Sequence, residues 1–509
     1  MSNATLKKNI GANFAGSIWQ AIMGLVFVPI YIKFIGIESY GLIGIFTTLQ
    51  IIFGLLDVGL GSTLTREMAR LSALPNREQE MRNLVRTLEI IYWSVAVFVG
   101  VVVVSLSPVI SGHWIKAGNL SVKTVEYSLL IMGFVMVFQL PSGFYSGGLM
   151  GLQKQVLLNS INICISTLRG AGAVLVLWLI SPTIYAFLIW QLLIGILNVI
   201  LIAIFLWRSL PSSENASVFQ KQLLSGVWKF AAGMSGNSIF GVILTQMDKV
   251  ILSKILPLDL FGYYMLASMV GMSLSRLYTP VFFSIYPRLT QLVSINNVDE
   301  LKRFYHSVSQ FFAVLILPAA VVIAFFSYEV VLIWTQNPIT AEKTHLILSI
   351  MICGTALNGL MNPPYALQLA FGWTRLAFFK NVVAVIILAP SIVYLTKFYG
   401  VYGAASVWLL LNVGYILFEI PIMHKKLLHK EKWTWYLEDV FRPLVICVLI
   451  AGTGRLAFSE TMSHFLIVIY IVIISILTLA ITSIATPVTR ELIFGQLLKF
   501  KLTYFRISS

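Results

Sequence analysis

Stretches of about twenty apolar residues, nearly free of charge, follow one another along almost the whole chain. A helix needs about 20 such residues to cross the hydrocarbon of a bilayer. Only helices and closed barrels cross it, because every backbone polar group there must find its partner within the protein. Fourteen segments of this kind are expected, at about 10–34, 40–63, 88–110, 125–150, 156–180, 183–207, 228–253, 261–285, 307–334, 345–371, 376–397, 400–423, 441–457 and 465–486. Composition agrees: 58% of residues are hydrophobic and 11% charged, against about 25% charged in a soluble globular protein. The expected fold class is therefore an all-α polytopic membrane protein. The net charge of +15 belongs to membrane topology. Nucleic-acid binding would need a soluble basic module, and the chain has none.

The basic residues set an orientation. With the N-terminus inside, the cytoplasmic segments hold 25 of the 35 Lys and Arg, the outer segments hold seven, and three lie within spans. Both termini are expected in the cytoplasm. The N-terminal MSNATLKKNIGANF does not read as a cleavable signal, since its apolar run is broken by Asn13, Ser17 and Gln20. Two cytoplasmic segments, Arg66 to Arg86 and Pro287 to Phe304, read as helices on the membrane surface.

An internal repeat organises these segments. KFIGIESYG, Lys33 to Gly41, joins the first two, and KILPLDLFG, Lys254 to Gly262, echoes it 221 positions later. Gly36 stands opposite Pro257, Ile37 opposite Leu258, Glu38 opposite Asp259 and Gly41 opposite Gly262. Lys33, Lys254, Glu38 and Asp259 are expected as outer-rim charges. Pro141 and Pro363 are 222 apart, and Pro364 follows the second. Each proline lies mid-segment, where it removes a helix hydrogen bond. Paired interruptions in two halves point to a transporter's binding region. Expected are an N-terminal six-helix lobe over 1–210, a polar cytoplasmic linker over 211–222, a second six-helix lobe over 223–424, and two further helices with a cytoplasmic tail over 425–509. The last pair has no counterpart in the repeat and reads as an appendage.

Charges inside spans cost about 2.5–3.5 kcal/mol each at mid-helix on insertion scales, so those that remain are candidates for function. Arg169, Lys249 and Arg276 are the candidate substrate contacts. Asn13 and Gln20 lie on a polar stripe in the first span, and Asn237 on one in the seventh. Such stripes serve either a water-filled lumen or helix packing through amides and small residues. Asp57 and Asp248 suit either ion coupling, to a proton or sodium, or a structural ion pair. Glu329 and Glu419 suit snorkelling near span ends. No catalytic constellation, nucleotide loop or metal-ligand spacing is present, and no cofactor is expected. Cys164, Cys353 and Cys447 lie in apolar runs as core residues.

The N-terminal run KKNIGANFAGSIWQAIMGLVFVPIYIKFIGIESYGLIGIF, followed by LLDVGLGSTLTREMARL, resembles the bacterial polysaccharide or O-antigen flippases. These are a branch of the multidrug/oligosaccharidyl-lipid/polysaccharide exporter superfamily. The likeness is carried by Glu38, Tyr40–Gly41, Asp57, Gly59 and Gly61. It is most specific over residues 6 to 71 and extends as spacing over the first twelve spans. The resemblance implies two pseudo-symmetric six-helix lobes forming a V, a central cavity opening to alternate sides, and residence in the bacterial inner membrane. It also implies movement of an undecaprenyl-pyrophosphate-linked oligosaccharide to the periplasmic leaflet, with membrane lipids, a polysaccharide polymerase and a chain-length regulator as partners. It transfers no individual residue role. A cation-coupled multidrug exporter and a lipid II flippase are alternatives within the superfamily. A membrane glycan polymerase or ligase is an alternative from another class, and it would need a large outer loop.

Overall fold

The computed structural model describes residues 3–55, 60–459 and 461–490. The side chains of 3–7, 10, 14, 60, 62 and 224–238 lie outside the described set. Among the described residues the chain is helical, with no strand. It divides into two compact units, Met1–Gly262 and Tyr263–Ser509.

The first unit holds α1 (Asn3–Val26), α2 (Val28–Gly54), α3 (Leu60–Leu71), α4 (Glu78–Val109), α5 (Val122–Gly151), α6 (Gln155–Leu179), α7 (Ile184–Ser209) and α8 (Lys221–Ile255). The start of α9 (Leu258–Ser273) closes it. The remainder of α9 opens the second unit. Then come α10 (Ser275–Ser294), α11 (Val298–Phe325), α12 (Ser327–Thr335), α13 (Pro338–Leu360), α14 (Asn362–Ala370), α15 (Arg375–Gly414), α16 (Ile420–Lys426), α17 (Lys432–Thr434), α18 (Arg442–Leu456) and α19 (His464–Ala485). Among the described residues, nine helical stretches have the length and hydropathy to cross a membrane, against fourteen expected. One of the nine, Arg375–Lys426, carries two expected segments on either side of Gly400, where φ is +58°. α9 and α18 have only 16 and 15 residues.

The core of the first unit lies among α3 to α7, where Leu64, Met68, Leu88, Phe144, Leu149 and Leu206 are fully buried. α3 therefore turns its apolar face into the protein, and the helix expected over 66–86 is divided between the end of α3 and the start of α4 by a turn at 72–77. The segment 287–304 is likewise no separate helix. α10 continues to Ser294 because Leu289 and Leu292 remain buried, and α11 starts anew at Val298, with Asn297 Oδ1 accepting the Glu300 N–H at 3.2 Å. The linker after α7 is docked along α4. Arg82 donates to Pro211 O, Val218 N to Asn83 Oδ1 at 2.9 Å, and Gln220 N to Thr87 Oγ1 at 2.9 Å. Beyond it, α8 packs on α2, α3 and α4 and belongs to the first compact unit.

The repeated hairpins meet each other. A Cβ added to Gly41 would lie 2.5 Å from Leu258 O, and one added to Gly262 would lie 2.4 Å from Ile37 O. Since Gly41 corresponds to Gly262 and Ile37 to Leu258, the contact is reciprocal, as a local two-fold requires. The chain reverses at Gly36, with φ at +79°, a backbone region that only glycine enters freely. Glu38 is not a rim charge. It is 7% exposed, and its carboxylate accepts the N–H groups of Gly118, Asn119 and Leu120 at 2.5, 3.0 and 3.4 Å. The same loop reaches the second copy: Leu258 N donates to Lys116 O at 2.9 Å, Trp114 Nε1 to Ser253 Oγ at 3.0 Å, and Lys254 stands over the Trp114 ring.

The prolines act differently in the two units. α5 runs unbroken through Pro141, contrary to the expected interruption. One lost hydrogen bond does not break a helix held by α3, α4 and α7 along its length. In the second unit the helix does break at Met361, ahead of Pro363 and Pro364. Pro363 leaves the carbonyl of Gly359 without its usual N–H, and Asn362 Nδ2 donates to that oxygen at 3.0 Å.

The C-terminal pair is built into the core of the second unit and is not an appendage. Cys447, Ala451 and Ile474 pack with Ala313, Leu317 and Val321 of α11. Two polar links fasten it. Arg455 bonds Glu329 at 2.6 Å, so Glu329 does not snorkel. Near the start of α11, His306 bonds Asp439 at 2.6 Å and Glu431 at 3.2 Å, and Lys302 bonds Glu431 at 2.8 Å. Burial alone would raise the Glu431 carboxyl, but Lys302 and His306 hold it below the usual glutamate value.

Two outcomes follow. Gly41→Ala and Gly262→Ala should each lower the thermal midpoint of the purified protein, by about 1–3 kcal/mol of overpacking. Gly24→Ala should not, because open space surrounds Gly24. A carboxyl depressed in the folded state contributes stability above its unfolded value, about 4.3, and loses it as pH falls through the lower folded value. Melting curves should therefore show destabilisation setting in as pH falls below about 4.3, and Glu431→Gln should flatten it.

Candidate functional site

The charged groups inside the helices fall into two kinds, those already neutralised and those left over. Lys249 of α8 is 7% exposed, and its ammonium donates to Thr245 O at 2.8 Å and to Asp248 at 3.1 Å. This expected substrate cation and this expected coupling acid are thus joined to each other. Glu419 is 3% exposed and does not snorkel: it bonds Lys380 at 2.7 Å and Gln368 at 2.8 Å. Sequence reading missed Lys380, counting it among the cytoplasmic loop charges.

Arg169 is of the second kind. It projects from α6 beside the contact in which the Tyr31 hydroxyl donates to Gly170 O at 3.0 Å. Its Nε is buried with no hydrogen-bond partner among the described residues, and no described carboxylate lies within ion-pair distance. A buried donor without an acceptor costs about 1–3 kcal/mol, more when charged. A charge held this way inside an apolar segment suits an anionic visitor. Arg276, on α10 of the second unit, is exposed and has no ion pair among the described residues.

The polar stripe of the first span is used for packing at one position. Asn159 Nδ2 of α6 donates to Asn13 Oδ1 at 2.6 Å, and Asn13 Nδ2 to Gln155 Oε1 at 3.4 Å. Gln20 is exposed. Asp57 and the side chain of Asn237 lie outside the described residues. A further buried carboxylate, Glu89 of α4, escaped the sequence reading. It accepts from Tyr145 Oη at 2.6 Å and from Trp207 Nε1 at 3.2 Å, and pairs with Arg86 at 2.8 Å. Its partners lie 56 and 118 positions away, beyond the reach of any local pattern. Among the described residues no group of three His, Cys, Asp or Glu could hold a metal ion.

A sequence model described as "Polysaccharide biosynthesis protein" matches residues 6–293. The chain belongs to this family. A Shigella flexneri protein named for O-antigen transport is 20% identical over 400 residues, covering 77% of this chain and 93% of that one. Among solved structures, the lipid II flippase MurJ in an inward closed conformation superposes with a TM-score of 0.69 at 15% identity, over 95% of this chain and 99% of that one. An inward-facing multidrug transporter of the MATE family, itself described as of the MOP superfamily, gives 0.60 at 14% identity, over 80% and 96%. At these identities the structures establish the fold alone. The chain thus shares the fold of these solved transporters, and the named relatives are transporters and flippases, not enzymes.

Proposed function

We propose that this chain is a flippase for lipid-linked oligosaccharides. It takes repeat units carried on undecaprenyl diphosphate from the cytoplasmic to the periplasmic leaflet by alternating access, for surface polysaccharide assembly. The protein resides in the inner membrane with both termini cytoplasmic and fourteen crossings, a topology supported by the alternation of Lys and Arg. A polysaccharide polymerase and a chain-length regulator would act on the delivered unit.

The observation that carries this reading is the charge inventory. Among the described residues, each carboxylate singled out within a span is already bonded to a cation: Asp248 to Lys249, Glu329 to Arg455, Glu419 to Lys380. Arg169 has no such partner. Uncommitted carboxylates suit a cavity for cationic drugs, whereas an uncommitted cation suits a diphosphate. A guanidinium forks onto phosphate oxygens and stays charged when desolvated. The multidrug reading is disfavoured for this reason, although the fold fits it.

Replacing Arg169 or Arg276 by alanine should abolish surface glycan export at unchanged protein abundance, scored by glycan gel and by immunoblot of the membrane fraction. Normal export from both variants would overturn the cationic site.

A further inference from the structure

One buried ion pair is built so that only its cation can be reached. Glu419 closes the π-helical turn Tyr415–Glu419 that follows α15. The side chains of Lys380 and Glu419 are 18% and 2% exposed. The Lys380 ammonium stands 4.4 Å from the centroid of the Tyr415 ring and 5.8 Å from that of Tyr365. Tyr365 is stacked on Phe282 of α10 at 6.0 Å and 13°, and Phe282 on Tyr286 at 6.4 Å and 3°. The reachable ammonium therefore lies at the end of a row of three nearly parallel rings, each half-buried. Two polar atoms at the same place are unused. Gln368 Oε1 and the Tyr415 hydroxyl are buried with no hydrogen-bond partner among the described residues. Every residue of this cluster belongs to the second unit.

Each unbonded buried polar group costs about 1–3 kcal/mol. Here two groups are unsatisfied beside a cation that faces outward. An ammonium takes phosphate oxygens, aromatic faces pack against the C–H faces of a sugar ring, and the free amide oxygen can accept from a sugar hydroxyl. We propose that this cluster is a binding site for a glycosyl diphosphate headgroup, and that Glu419 is its placeholder. With the site empty, the carboxylate holds Lys380. With the site filled, the diphosphate takes the ammonium, and Glu419 keeps Gln368 and gains the Tyr415 hydroxyl one turn earlier on its own helix. The inference rests on the flippase reading for the class of ligand. The charge alternation puts this end of the second unit on the cytoplasmic side, where such a headgroup would be met first.

The placeholder predicts opposite effects from the two halves of the pair. Full-length protein in phosphatidylcholine nanodiscs is titrated with inorganic pyrophosphate and with farnesyl diphosphate; a separate arm adds phosphatidylglycerol to the discs. Both diphosphates should bind. Lys380→Ala should weaken binding by about tenfold or more and Lys380→Arg should retain it, while Glu419→Gln should tighten it by about tenfold, the loss of one competing charged hydrogen bond. Melting curves report folding. Should a single variant not fold, the exchanged pair Lys380→Glu with Glu419→Lys keeps the ion pair, and it is expected to fold and not to bind. Four results overturn the proposal: a folded Glu419→Gln that binds no tighter than wild type, a Lys380→Ala that binds as wild type, an exchanged pair that binds as wild type, or Lys380-dependent binding only to phosphatidylglycerol. These are binding measurements, so they stand apart from glycan export. Absence of Lys380-dependent binding with export intact leaves the flippase reading in place and removes the site alone, and Lys380-dependent binding in a chain that supports no glycan export removes the flippase reading alone.

Discussion

A charge inside an apolar segment must be matched by an opposite charge, a hydrogen-bond network or a ligand, since the surroundings supply no water to do it. That constraint orders much of this protein. Glu38 is matched by three backbone N–H groups, Glu89 by a tyrosine, a tryptophan and an arginine, Glu329 by Arg455 and Asp248 by Lys249. These matches tie helices together: α2 to the loop before α5, α4 to α5 and α7, and α12 to α18. Removing one partner of such a pair leaves a buried charge uncompensated, which is far more damaging than losing the net worth of the pair. Against this background, a guanidinium with an unused donor is conspicuous, and so is an ammonium held by an acid among unused acceptors and donors.

The repeat supplies the frame. Its two hairpins touch through glycines that allow backbone carbonyls within a distance no side chain tolerates. The loop from Trp114 to Leu120 then binds both copies. The contact is reciprocal because the two copies are alike, so one sequence solution serves twice.

Much of this was legible in the chain. The turn at Gly36, the break before Pro363, and the helical character of the expected spans where residues are described followed from apolar run length and turn residues, which are local. What was not legible depended on partners far apart. Glu419 and Glu329 read as snorkelling ends, yet each bonds a cation 39 or 126 residues away. Glu38 read as a rim charge because nothing near it in sequence offers three aligned N–H groups. Pro141 resembled its counterpart in sequence, and only the neighbours that hold α5 straight distinguish them. Asn13 was rightly placed on a polar stripe, but whether that stripe meets water or Asn159 is decided by another helix.

The central claim is that this fold moves an oligosaccharide on a polyprenyl diphosphate across the bilayer. The most direct test is transbilayer movement in proteoliposomes that hold the purified protein and a fluorescent undecaprenyl-diphosphate oligosaccharide, with outer-leaflet label reported by a membrane-impermeant quencher. The account predicts that the quenchable fraction rises with time in the presence of the protein, and that Arg169→Ala abolishes the rise. Movement no faster than in protein-free vesicles, or movement indifferent to Arg169, would contradict it.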